Sequence, residues 1–351
     1  MNNDSITHYS GVKTSPKYRF VSIDFLKFIA VLFITNSHMN NAYGEYNALA
    51  TGGAIGDVLF FFVSGFTLFM GRVGAFDTWY KRRIRRIYPS VFGWAIVGLL
   101  CGITSLDINS MLKGGGEFIS AIMVYYVVLY FIRKYAMNKL SLSFVICSLV
   151  VLLWYIFLFP EKQDVLMYKR FVRWPCYFLF MLMGAMTGVK VQRNNGVQNS
   201  GNNWINVMML LFSIITFYGI QIIGKKILWV SYIQIVSLIP LMGVIYYLYL
   251  LACSRLFKRI YDNKIMQCII LVVGGLCLEI YFVQMPILIG DSLPFGFKRD
   301  SLQFMFPLNI PIIIIIILPL AYITRTVGRF FAQTFDSVEG YQWGKIFELK
   351  G

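Results

Sequence analysis

The sequence predicts an all-α, polytopic bundle of about ten transmembrane helices, with a basic interfacial helix between the second and third. Three observations lead there. Hydrophobic residues fill 58% of the 351 positions and charged residues 14%, with a mean hydropathy of +0.66, far outside the range of soluble domains. The apolar residues form long continuous runs and not short alternating segments, which selects helices over a membrane barrel. The Lys and Arg residues behind the net charge of +16 sit in short connections between these runs. There they orient the chain and meet membrane lipids or anionic ligands, which argues against nucleic acid as a partner.

Residues 1–18 are polar and read as a mobile cytoplasmic leader, so the first apolar run serves as an uncleaved insertion signal. Windows long enough to cross a bilayer lie near 22–41, 54–72, 88–106, 117–134, 140–159, 174–191, 204–223, 227–252, 265–289 and 307–327. An even number of spans puts both termini on one side. The denser Lys and Arg of the segments on that side assign it to the cytoplasm of a plasma membrane. Residues 19–327 are then one transmembrane domain and 328–351 a cytoplasmic tail. The connection VQRNNGVQNSGNN after the sixth span reads as a flexible linker, and no internal repeat is visible. The six cysteines lie in or beside apolar runs without CxxC spacing, as small hydrophobes do, so neither a metal site nor a disulfide frame is expected.

The first span, SIDFLKFIAVLFITNSH, carries Asp24, Lys27 and His38 among apolar residues, where ionisable groups are costly unless they find partners or serve a site. Lys27 and His38 are offset by about 20° around a helix and about 16.5 Å along it, so they share one face. His8 lies in the leader, which leaves His38 as the histidine available to chemistry within the membrane. Lys27 can attract an anion, pair with Asp24 three positions earlier, or snorkel to the inner headgroups.

Between spans two and three, FDTWYKRRIRRIYP places Phe76, Trp79, Tyr80, Ile84 and Ile87 at helical spacing, with Lys81, Arg82, Arg83, Arg85 and Arg86 on the other faces. Two readings stand. One is a lipid-binding, topogenic cluster, and the other is a clamp for a polyanion, since guanidinium groups pair with phosphates bidentately. Glu279, in the middle of the ninth span, is too costly to stand alone and points to a substrate contact or a buried network.

Four blocks in order resemble the membrane-bound acyltransferase family 3, integral membrane enzymes that O-acylate glycans. Ser22 to His38 is similar to the family's Asp-x-Leu-Arg with a histidine eleven residues after the arginine, Lys27 standing for that arginine. GDVLFFFVSGF, Gly56 to Phe66, resembles its Gly-rich entry into a Phe-Phe-x-x-Ser-Gly-Phe helix, with Asp57 one place before the acid of many members. Lys81 to Pro89 resembles its arginine-rich stretch. GGLCLEIYFVQMPIL, Gly274 to Leu288, resembles a late span whose second histidine is replaced here by Gln284.

The resemblance implies a cytoplasmic acyl-coenzyme A donor, most often acetyl-coenzyme A, used as co-substrate with no tightly bound cofactor. It also implies an acceptor hydroxyl on a lipid-linked or surface glycan. His38 is then the general base, for histidine alone titrates near neutrality. Asp57 either orients His38 as in a dyad or simply faces outer water. Glu279 joins the candidate catalytic set, Lys27, Arg82, Arg83, Arg85 and Arg86 the donor site, and Asp24, Ser64 and Tyr281 the supporting groups. A competing class is a transporter or flippase of a lipid-linked saccharide, whose mark would be broken helices at matching places of two halves.

Overall fold

The computed structural model describes residues 19–71, 73–103, 116–158, 166, 170–198, 200–289, 306–334 and 343–347. All regular elements among these residues are helical. The longer ones are α1 (Val21–Ser37), α2 (Gly53–Met70), α3 (Phe76–Leu100), α4 (Glu117–Tyr135), α5 (Leu140–Leu158) and α6 (Arg170–Arg193). They continue with α7 (Asn203–Lys226), α8 (Leu238–Ala252), α9 (Arg255–Asp262), α10 (Lys264–Gly275), α11 (Cys277–Ile289) and α12 (Asn309–Thr334). The leader lies outside the described residues.

Among the described residues seven helices are long and apolar enough to cross a membrane, or nine if two bent pairs each count as one span; α3, which carries the third apolar run, is not among them. Two points of the expected architecture differ from the structure. The basic run does not form an interfacial helix of its own: α3 is continuous from Phe76 to Leu100, through Pro89, so one helix carries the cations at its start and the third apolar run at its end. A proline inside a membrane helix is tolerated where neighbours cover the freed groups. Of the apolar residues between the cations, Trp79 and Ile87 are buried in the protein, and the Trp79 indole donates to the Tyr126 carbonyl at 3.3 Å. Phe76 and Ile84 stay exposed.

The second correction concerns the ninth run, which is two helices, α10 and α11, meeting at a 70° bend around Leu276. The first run also bends, by 64°, from α1 into the short helical turns of Asn40–Leu49. Breaks at membrane depth need partners for the backbone groups they release. At the α10–α11 break the Arg325 guanidinium donates to the Gly275 carbonyl at 2.9 Å.

The aromatic helix α2 is the centre of the bundle. Phe61, Phe62, Phe66 and Phe69 are all fully buried, and its other faces meet α1 and α6. Its contact with α6 is a backbone approach through small residues, as expected where apolar burial gives no net drive. A methyl group at Gly65 would fall on the Met181 carbonyl oxygen, and one at Gly184 on that of Phe62. The C-terminus of α2 is closed by the buried Arg133 of α4, whose guanidinium donates to the Leu68 and Gly71 carbonyls. The connection before α7 is tied down as well, because the Ser22 hydroxyl donates to Gln198 at 2.9 Å.

The α2–α6 contact makes one expectation simple. Gly184→Val should lower the stability of the purified protein by about 3 kcal/mol or more through overpacking. Gly219→Val, at a position with nothing within 4 Å, should change little. Thermal unfolding in detergent measures both, and equal midpoints would remove the close-approach account.

Candidate functional site

Three glycines bring the end of α1 and the start of α2 together. Gly52 has the left-handed φ of +97°, which starts α2 in the required direction, and its missing side chain leaves room for the Phe33 ring. A Cβ at Gly53 would sit 2.7 Å from the Ser37 hydroxyl, and one at Gly56 would sit 2.9 Å from the Ala30 carbonyl. The α1 bend is held by Asn36, whose amide donates to the carbonyls of Leu49 at 2.8 Å and Thr51 at 3.0 Å while accepting from the Tyr43 hydroxyl at 2.5 Å.

His38 caps α1 at this bend, its backbone N–H donating to the Thr35 carbonyl at 3.1 Å. The half-buried imidazole lines a cavity of about 410 Å³ together with Asp57, Arg173 and Tyr177, and with the last turns of α7 opposite. That volume suits a compact ligand of a few dozen atoms. The structure therefore brings His38 and Asp57 to one cavity. Among the described residues no hydrogen bond joins them: Asp57 is bonded to the Tyr177 hydroxyl, and Arg173 lies within electrostatic reach of both His38 and Asp57. Arg173 is further held by Glu117, at 3.5 Å, and by stacking 4.7 Å from the Trp174 ring centre.

A second, narrow crevice of about 10 Å³, room for about one water molecule, lies beyond Ile34, which lines both spaces. Val31, Ile34 and Thr35 line it from α1, on the stripe that runs from Lys27 to His38, and Cys277, Tyr281 and Gln284 line it from α11. The Thr35 hydroxyl donates to the Gln284 side chain across it at 2.5 Å. Cys277, next to the break, is within electrostatic reach of Lys27, Glu279 and Arg86. Lys27, crevice, Ile34 and imidazole thus follow one another along one side of α1.

The remaining candidates are distributed differently. Lys27 pairs with Asp24 at 3.8 Å, and Asp24 also accepts from Arg19 at 2.7 Å, a hydrogen bond that holds the Arg19 guanidinium above its ordinary range. Arg85 and Arg86 are exposed, and Arg82 is exposed while donating to the Val73 carbonyl at 2.9 Å. Arg83 is half-buried, 4.4 Å over the Trp79 ring and also above Tyr126, to which Ser64 is hydrogen-bonded. Tyr281 lies in the crevice within electrostatic reach of Asp57 and Arg173.

Glu279 is not in the cavity wall. It is buried in the first turn of α11, accepts from the Ser90 hydroxyl of α3 at 2.5 Å, and faces Arg325 and Arg329 of α12. Sequence reasoning missed Arg173, Tyr177 and the α7 wall. The available signal was faint: Gln221 and Lys225 are polar residues in or beside an apolar run. No group of three His, Cys, Asp or Glu that could hold a metal occurs among the described residues.

Comparison with known sequences gives one match, to a family described as an acyltransferase domain, over residues 20–326. No curated protein and no solved structure matches.

Proposed function

This chain belongs to acyltransferase family 3 and is a membrane acyltransferase, and from that membership we propose that it moves an acyl group from cytoplasmic acyl-coenzyme A to a hydroxyl of a lipid-linked or cell-surface glycan, with acetyl as the first candidate and His38 as general base. The observation that carries this reading is the position of His38. Its ring lines a cavity that can take a sugar, and Ile34 lines both that cavity and the crevice bordered by Cys277, which is within electrostatic reach of Lys27 and Arg86.

In this reading the phosphates of coenzyme A meet the exposed guanidinium groups of α3, with Arg82, Arg85 and Arg86 outermost. The thin arm carrying the thioester follows the Lys27 to His38 stripe. His38 takes the proton of the acceptor hydroxyl as its oxygen attacks the thioester carbonyl carbon. The tetrahedral oxyanion collapses, the C–S bond breaks, and the proton passes from His38 to the departing thiolate. Asp57, held by Tyr177, and Arg173 set the field around the imidazole, and no Asp57–His38 dyad is needed.

Arg83 stacks on a buried Trp, so its loss would mix packing with binding. The cleaner variants are Arg85→Ala and Arg86→Ala. Each should raise the KM for acetyl-coenzyme A roughly tenfold, as expected for one charge-assisted contact, without moving the KM of the acceptor. A change confined to the acceptor's KM would assign these residues elsewhere.

The reading as a whole is tested by incubating the purified, lipid-embedded protein with labelled acetyl-coenzyme A and a saccharide acceptor. Acyl ester on the saccharide and free thiol should appear together. Movement of a lipid-linked saccharide across the bilayer without thioester consumption would instead favour a flippase. The two helix breaks lend that alternative no repeat symmetry, because they fall in the first and ninth apolar runs, which are not matching places in two halves.

A further inference from the structure

The separation of charged from apolar residues expected at the start of α3 is found more sharply in α9 (Arg255–Asp262). This helix joins the end of α8 to the start of α10, so it lies at a membrane boundary. Both of its joints are fixed. The buried Ser254 hydroxyl accepts from the Phe257 N–H at 3.5 Å, and the Asn263 side chain accepts from the N–H groups of Ile265 at 3.0 Å and Met266 at 3.2 Å.

At about 100° per residue, Leu256, Ile260, Phe257 and Tyr261 fall within an arc of about 140°, and Lys258, Asp262, Arg255 and Arg259 within an arc of about 100° on the opposite side. The protein covers one edge of the apolar arc. Tyr261 is buried within electrostatic reach of Arg19, and the Phe257 ring packs edge-on against Phe25 of α1, with centroids 4.4 Å apart. The other edge is open: Leu256 is 55% exposed, and Ile265, the next apolar residue along the chain, is 70% exposed. Arg255, Lys258, Arg259 and Lys264 are exposed as well, against the single carboxylate of Asp262, and among the described residues none of these five groups is ion-paired.

The surface is therefore cationic and apolar at once, and that restricts its partner. Water serves the cations but not Leu256 and Ile265. Coenzyme A brings phosphates without a hydrocarbon chain beside them. An anionic phospholipid supplies both, a phosphate for the cations and acyl chains for the two aliphatic residues, at the depth where a membrane has them side by side.

We propose that α9 is a binding surface for anionic phospholipid in the leaflet where α1 begins, with Arg255, Lys258 and Arg259 on the headgroup phosphates and Leu256 and Ile265 among the acyl chains. Phe257 and Tyr261 hold α9 to the first turns of α1, so the bound lipid braces the end of α1 that carries Asp24 and Lys27. The inference stands independently of the acyl-transfer reading.

The test titrates the full-length protein in detergent with phosphatidylglycerol or phosphatidylcholine and reads occupancy by native mass spectrometry. The wild type should prefer phosphatidylglycerol by roughly tenfold or more, since each cation at an anionic surface contributes roughly fivefold. Arg255→Gln, Lys258→Gln and Arg259→Gln together should remove most of that preference. Lys139→Gln, Lys190→Gln and Arg193→Gln together take three exposed cations from other places and should keep it. Leu256→Ser should weaken phosphatidylglycerol several-fold and leave coenzyme A binding unchanged. Should the α9 triple variant fail to fold, Lys258→Gln alone carries the test, with a loss of roughly fivefold.

As a second readout, phosphatidylglycerol should raise the unfolding midpoint of the wild type more than that of the α9 variant. Four results overturn the proposal: a wild type without preference between the lipids, a preference that survives in the α9 variants, an equal loss in the charge-matched control, or an α9 variant that loses coenzyme A binding while keeping the lipid preference. The last of these would assign the cations to a soluble phosphate.

Discussion

His38→Ala is expected to abolish acyl transfer, with a loss of about 10²–10⁴ in kcat if the imidazole is the general base, while the protein still inserts and folds. The fold should tolerate the change. The ring is half-buried against a cavity instead of packed in the core, and the hydrogen bond that ends α1 comes from the His38 backbone, which alanine keeps. His38→Gln separates the roles further, since it retains a polar side chain but cannot take up a proton at neutral pH. The measurement is thiol release and ester formation per folded molecule, with the unfolding midpoint as control. Transfer persisting near the wild-type rate in both variants would falsify the assignment of the base.

The second large effect is expected at Glu279, and it should be an effect on stability. Glu279 is buried in the first turn of α11, accepts from Ser90, and faces Arg325, whose guanidinium also holds the Gly275 carbonyl at the break. Removing one member of a buried charged network costs about 3–5 kcal/mol, because the remaining charge loses its compensation. Glu279→Leu should therefore lower the yield of folded protein and its unfolding temperature. Glu279→Gln keeps an oxygen for the Ser90 hydroxyl and should recover part of that loss. Activity per folded molecule should stay within a few-fold of wild type in Glu279→Gln. A kcat collapse in this variant with the midpoint unchanged would return Glu279 to the catalytic set.

The most legible part of the site was the part made costly by the membrane. Asp24, Lys27, His38, Asp57 and Glu279 stand out because a charge or imidazole inside an apolar run needs a reason. The structure supplies different reasons: an ion pair for Asp24 with Lys27, a cavity for His38 and Asp57, and a buried network for Glu279. Arg173 gave no such signal. It lies at the edge of a span, where cations are ordinary, and its partner Glu117 is far away in sequence. Gln221 was hidden for a related reason, since its meaning depends on which side of α7 faces the cavity, and helical periodicity alone does not settle that.

The two departures in the fold have physical causes as well. The charge of Lys81–Arg86 separates the basic run from the apolar run that follows it in any hydropathy average, yet one helix, α3, carries both and passes through Pro89. At that level Gly328 of α12 lies against the Pro89 carbonyl. The α10–α11 bend escaped because a window average sees only that residues 265–289 are apolar. It cannot see that a distant arginine, Arg325, takes up a carbonyl released by the bend.

The hydrogen bond between Thr35 and Gln284 spans a crevice that holds about one water molecule. A protein that passes a thioester through the bilayer would drain the proton gradient of its cell if that route stood open between turnovers. On the proposed route, an arriving acyl arm would have to part these two side chains, with Ile34 behind them, before it met His38. Thr35 and Gln284 would then be the first contact to give way in each turnover.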